Sequence, residues 1–228
     1  IGTVYISIGN VVMPKLAEYS INEDLQNTLK LWKSMIIKNS IVTIPLLLFF
    51  IIEAKELFTF LFTSAYAESA NVFRIIVLTL LIQMLGYGYV LRAFGKTKKI
   101  LIAKVYRTLL SLGVGYLLIS NFGIIGAAIT FLFSYLINAI IQLNSAKILL
   151  KVSWKDYLPW FDFLKLLLIS IIPAIIISYV NLLEFTSLLK MVVNGFIYFV
   201  LVGFLLYKFN YFKVFGVNKI LKQLKILK

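Results

Sequence analysis

Histidine and cysteine are both absent from the 228 residues, which leaves Asp, Glu, Lys, Tyr and Ser as candidates for catalysis. Imidazole bases, disulfides and thiolate metal sites are thereby removed. Among the charges, Lys104 and Arg107 are three apart, on one face of the apolar run that begins near Ile100. Arg107 lies about 10 Å into that run at 1.5 Å per residue. Arg74 sits one turn into the preceding apolar run and Arg92 at its far end. A cation placed this way either snorkels to the lipid headgroups or faces a wet cavity, since lipid itself will not hold it cheaply. For Arg74 and Arg92 the two readings are interfacial anchors or parts of a gate or exit site. Glu53 and Glu56 share a face at the end of another run, with Lys55 beside them. Such carboxylates either mark the solvated end of a helix or couple proton or sodium movement to a change of access. Asp156 and Asp162 are the acidic pair of the last connection between apolar runs that is rich in lysine.

The elements that must carry these residues are long and apolar. The chain is 61% hydrophobic and 14% charged, outside the range of soluble domains. About 20 apolar residues cross a hydrocarbon core of roughly 30 Å. On that ruler the sequence predicts an all-α, polytopic transmembrane bundle of about seven spans: 1–16, 36–62, 71–93, 100–119, 123–144, 163–181 and 188–207. The first reads as truncated, because residue 1 is Ile and the run is already under way there. The connections alternate between basic and almost base-free. Lys15 to Lys38, Arg92 to Lys99, Lys147 to Lys165 and the tail after Lys208 are basic, and the intervening loops are not. Lys- and Arg-rich short loops stay cytoplasmic, so the tail is predicted to lie inside and only Lys55, Arg74 and Lys190 toward the outside. The net charge of +14 is then mainly a topology signal.

Shorter patterns fill in the connections. Ser20 and Glu23 read as a capping box that opens a short interfacial helix before the second span. Trp154, Tyr157, Trp160 and Phe161 read as belt residues of the headgroup boundary. In the tail, Ile220, Leu221, Leu224 and Leu227 share a helical face with lysines around them, a pattern for anchoring on anionic lipid or for binding a partner. Pro14, Pro45 and Pro173 interrupt apolar runs, while Gly86, Gly88, Gly113, Gly115, Gly123 and Gly126 permit close helix approach. Gly95-Lys96-Thr97 lacks the earlier glycine of a phosphate loop, and the paired glycines lack the third of a dinucleotide fingerprint. No soluble basic face supports nucleic-acid binding.

Four segments in order resemble the polysaccharide flippases of the multidrug/oligosaccharidyl-lipid/polysaccharide exporter superfamily. Ile8 to Glu18 (IGNVVMPKLAE) resembles a helix end of that family. Lys55 to Phe62 (KELFTFLF), followed by Tyr66, Ala70, Phe73 and Arg74, resembles its outer-end segment. Ala93 to Lys98 (AFGKTK) resembles an inner loop, and Phe122 to Ala128 (FGIIGAA) the next outer turn. Thr63 stands where the family usually has glycine. The resemblance covers most of residues 8–145. It implies that 1–145 belongs to the second lobe of a two-lobe flippase whose first lobe precedes it. Residues 146–208 would add two C-terminal helices with an interfacial linker, and 209–228 a basic amphipathic tail. It further implies a bacterial cytoplasmic membrane, no cofactor, and a lipid-linked oligosaccharide, carried on undecaprenyl diphosphate, as cargo.

On this reading Arg107 is the first choice for the diphosphate, because a guanidinium can hold phosphate through two parallel hydrogen bonds. Lys104, Arg74 and Arg92 are the further substrate-binding candidates, and Glu53 and Glu56 the ion-coupling ones. Asn39, Asn138 and Gln142, polar within apolar surroundings, read as interhelical hydrogen bonds or as sugar ligands. The alternatives are a drug or cation antiporter of the same superfamily, a membrane-embedded transferase using Asp156 and Asp162, and an assembly protein.

Overall fold

A computed structural model describes residues 2–180 and 187–211, and among these every regular element is a helix. The tail pattern at 220–227 and most of the connection at 181–187, expected to be an outer loop, lie outside the described residues. In chain order the α-helices are α1 (Gly2–Ile21), α2 (Leu25–Phe62), α3 (Ser69–Val77), α4 (Thr79–Gln83), α5 (Tyr89–Ala93), α6 (Thr97–Leu149), α7 (Trp154–Tyr157), α8 (Trp160–Val180) and α9 (Ser187–Lys208). Four of them, α2, α6, α8 and α9, are long and apolar enough to cross a membrane.

α6 runs over 53 residues, which as one rod would measure about 80 Å, far beyond any bilayer. It is instead a hairpin. Gly123 has φ +56° and ψ −132°, a backbone conformation that a residue with a Cβ rarely adopts. Beyond it the second arm (124–149) returns along the first (97–122). Gly115 packs on Thr130, whose Cγ2 lies 3.1 Å from where a Cβ on the glycine would be, and Gly126 packs on the carbonyl of Leu118. Arg107 meets Tyr135 further along the same register. The two spans expected at 100–119 and 123–144 are these arms.

The expected single span at 71–93 is corrected by the structure: it is broken into α3, α4 and α5. The turn at 84–88 contains Gly86 at φ +55°. In an apolar setting a break must have its freed carbonyls satisfied by neighbours. Here α2 does it, with Asn39 Nδ2 donating to Met84 O at 3.0 Å and Trp32 Nε1 to Gly86 O at 3.3 Å.

The expected interfacial helix is likewise absorbed. α2 is one continuous helix of 38 residues, about 57 Å long, that starts in the connection and passes through Pro45. Its cap is Asp24, whose Oδ1 accepts from Asn27 N at 3.0 Å. Glu23 is turned to φ +52°, and Ser20 Oγ lies 2.8 Å from Ala17 O and from Ala93 O, tying α1 to the end of α5. The capping box is therefore not formed. At its other end α2 stops at Thr63, which takes φ +81° and ψ 167°. That region is essentially reserved for glycine.

Two cores result. One gathers Leu16, Trp32, Val90, Leu143 and Tyr157 around α1, α2, α5, the second arm of α6 and α7. Tyr157 is fully buried and stacks on Trp32 with ring centroids 4.4 Å apart, so it belongs to the core and not to the headgroup belt. Trp154, Trp160 and Phe161 are exposed as that belt requires. The other core joins Tyr5, Ile44 and Met84 to Leu166, Ile177, Tyr198 and Val202 of α8 and α9. Tyr198 locks the assembly by donating from its hydroxyl to Pro45 O at 2.9 Å.

Candidate functional site

Two stripes of side chains face each other across the α6 hairpin. On the first arm Ile100, Lys104 and Arg107 follow helical spacing, and on the second Tyr135, Asn138 and Gln142 do. The Arg107–Tyr135 contact fixes the register, which sets 104 opposite 138 and 100 opposite 142. Both stripes line an open cavity of about 330 Å³, which Tyr5 and Ile6 of α1, Gln83, and the broken segment from Gly86 to Arg92 also line.

The cavity is cationic. Arg92, Lys104 and Arg107 line it, and no carboxylate does. The Arg107 guanidinium carbon lies 3.9 Å from the centre of the Tyr135 ring, and that of Arg92 lies 5.7 Å from the Tyr89 ring. Stacking of this kind holds a guanidinium plane while leaving its N–H edge available. Among the described residues no acid pairs with any of the three cations. The opposite wall is neutral: Asn138 Nδ2 donates to the Tyr87 hydroxyl at 3.2 Å, and Gln142 Nε2 to Asn138 Oδ1 at 2.8 Å.

The structure thus brings together three of the four substrate-binding candidates and sets the fourth apart. Arg74 reaches from α3 to α2, where its Nε donates to Ile51 O at 2.9 Å, while within α3 its Nη1 donates to Asn71 Oδ1 at 2.8 Å. The two ion-coupling candidates also separate. Glu53 is buried against α9, its Oε1 accepting from Asn194 Nδ2 at 2.9 Å, whereas Glu56 stays partly exposed. Asp156 and Asp162 do not form a pair. Asp156 accepts from Ser153 Oγ at 2.7 Å and Asp162 from the Tyr211 hydroxyl at 3.2 Å. Burial, with Asp162 close by, pushes the Tyr211 phenol up to about 12.

Sequence reasoning overlooked the tyrosines. Tyr5, Tyr87, Tyr89 and Tyr135 all line the cavity. Tyr135 carried a usable signal, since it shares a face with Asn138 and Gln142 on a largely apolar arm. Tyr87 and Tyr89 carried none, because their direction depends on the break.

The fold is that of a multi-pass helical membrane protein with a cationic cavity between its helices. Among solved structures, the lipid II flippase MurJ in its inward closed conformation shares this fold, with a TM-score of 0.70 and 19% identity over 90% of the chain. The chain spans 44% of that protein, less than half its length. At this level of identity the likeness is one of fold. No protein-family model and no curated protein matches the sequence.

Proposed function

We propose that this chain is the C-terminal part of a membrane transporter that flips an undecaprenyl-diphosphate-linked oligosaccharide from the inner to the outer leaflet for polysaccharide biosynthesis. The observation that carries the reading is the convergence of Arg92, Lys104 and Arg107 on one cavity without an acid to neutralise them. Cations that served only as headgroup anchors would not need to converge. Cations that do converge repel one another, and a bound anion relieves that repulsion. A diphosphate matches the charge, and Arg107, held by Tyr135, supplies the fork that grips it. A cationic drug would meet repulsion in the same place. The flippase fold of the solved structure supports the reading, with the first lobe and the facing wall of the pathway supplied by residues outside this chain. Cytoplasmic placement of the tail in a bacterial inner membrane, binding of anionic lipid by the basic connections, and ion coupling through Glu53 belong to the same proposal.

The test uses the full-length protein in a strain whose surface glycan depends on it. Arg107→Ala combined with Lys104→Ala should abolish surface glycan while protein level in the membrane is kept. Unchanged glycan at normal protein level would sink the cavity assignment. Increased drug sensitivity of a deletion strain, with glycan intact, would point to an exporter of cations instead.

A further inference from the structure

The neutral wall of the cavity carries no charge to offset that of a diphosphate. Tyr87, Asn138 and Gln142 form a relay in which each amide donates to the next residue, and the amides are 3% and 2% exposed. At one end the Tyr87 oxygen is occupied as an acceptor, and its proton is left to donate. At the other end Gln142 Oε1 has no hydrogen-bond partner. A buried amide oxygen without a donor is costly, and natural structures keep few of them. Reversing both amides would reverse the relay and still leave neutral phenol and amide ends. Such ends match a group that donates and accepts at once, as a sugar hydroxyl does.

Gly88 fixes where this wall lies relative to the cations. A Cβ at Gly88 would stand 3.1 Å from Gln142 Oε1 and 3.8 and 3.9 Å from Nε and Nη2 of Arg92. The amide and the guanidinium therefore flank one point. In this arrangement Gly88 covers Gln142 Oε1, so a shift of the turn at 84–88 would uncover it beside Arg92. That turn already holds Gly86 at φ +55°, and its side-chain hydrogen bonds to α2 come from Asn39, Trp32 and, to the Met84 sulfur, Ser40.

We propose that Tyr87, Asn138 and Gln142 are a sugar-recognition subsite that reads hydroxyl or acetamido groups on the first glycan residue, the one attached directly to the diphosphate. The inference rests on the flippase reading and deepens it. The cations hold any diphosphate lipid, and the relay selects which sugar follows.

Binding to the purified full-length protein separates the two layers. The probes are undecaprenyl diphosphate, bare or bearing one N-acetylglucosamine, glucose or galactose. The wild type should bind at least one sugar-bearing probe about tenfold more tightly than the bare lipid. Tyr87→Phe, which keeps the ring, and Gln142→Leu should each cut that preference about three- to tenfold, with bare-lipid affinity kept within about twofold. Arg107→Ala should weaken all probes alike. No preference in the wild type, or a preference that both variants leave intact, overturns the subsite while the diphosphate site stands. Bare-lipid binding that is absent, or indifferent to Arg107→Ala, overturns the flippase reading and the subsite with it. Should Gln142→Leu fail to fold, Tyr87→Phe alone decides.

Discussion

Replacing Thr63 with glycine should stabilise this protein. Thr63 ends α2 with φ +81° and ψ 167°, where a Cβ collides with its own backbone and a β-branched residue fares worst. Holding a residue with a side chain there costs on the order of 1–3 kcal/mol. The conformation is enforced by its surroundings, since Thr63 N donates to Thr59 O at 3.1 Å and Thr63 O accepts from Tyr66 N at 3.2 Å. Those bonds are backbone bonds and survive the substitution. The side chain is exposed, so no packing is lost. Against the relief stands the greater freedom of glycine in the unfolded chain, about 0.4–1 kcal/mol. The net expectation for Thr63→Gly is a gain of about 0.5–2 kcal/mol. Thr63→Ala keeps the Cβ and should gain little. Thermal or SDS-induced unfolding of the two variants and the wild type in one detergent measures both. A gain for alanine equal to that for glycine would show that the threonine side chain, and not its backbone, was the source of strain. A loss for glycine would refute the argument outright.

Other expectations follow from the same geometry. Gly126→Leu should cost about 3 kcal/mol or more in unfolding assays, because the new side chain meets the Leu118 carbonyl of the opposite arm. Gly113→Leu, with nothing within 4 Å, should be neutral or stabilising by up to about 1 kcal/mol from helix propensity alone. Trp32→Phe and Tyr157→Leu should show a coupling of about 0.5–1.5 kcal/mol in a double-mutant cycle, reflecting the 4.4 Å stack, and strict additivity would deny it. Tyr211 is pushed up to about 12 by burial and by Asp162. Its folded phenol holds the proton more tightly than the unfolded one, so its contribution is complete below pH 10 and lost as pH rises toward 12. Tyr211→Phe should remove that part of the alkaline loss of stability, seen as a shallower fall in unfolding midpoint between those pH values.

The sequence carried the architecture because a bilayer filters composition along one dimension. Run length sets how many times the chain crosses, and both arms of α6, α8 and α9 fall where the apolar runs do. The polar face of each α6 arm is legible too, from spacing alone. What spacing could not supply was the state of residues 71–93. Their hydropathy suits a continuous helix, and only the donors offered by Asn39 and Trp32 make a break at 84–88 affordable. Likewise Tyr157 sits among belt aromatics in sequence, and whether it faces lipid or Trp32 depends on where α7 docks.

Charge told a similar divided story. From the sequence by itself, most lysines and arginines are expected at one face of the membrane, and a few, Arg107 and Lys104 foremost, need another explanation. Whether those few act together was decided in three dimensions. The hairpin at Gly123 aligns Arg107 with Tyr135, the break at Gly86 swings Arg92 and Tyr87 toward them, and Arg74 is held elsewhere by Ile51 and Asn71. Hydrophobic spans are written residue by residue because each one must satisfy the membrane alone. A cavity is a property of several helices at once, so its lining exists only after turn, break and packing have fixed which faces meet.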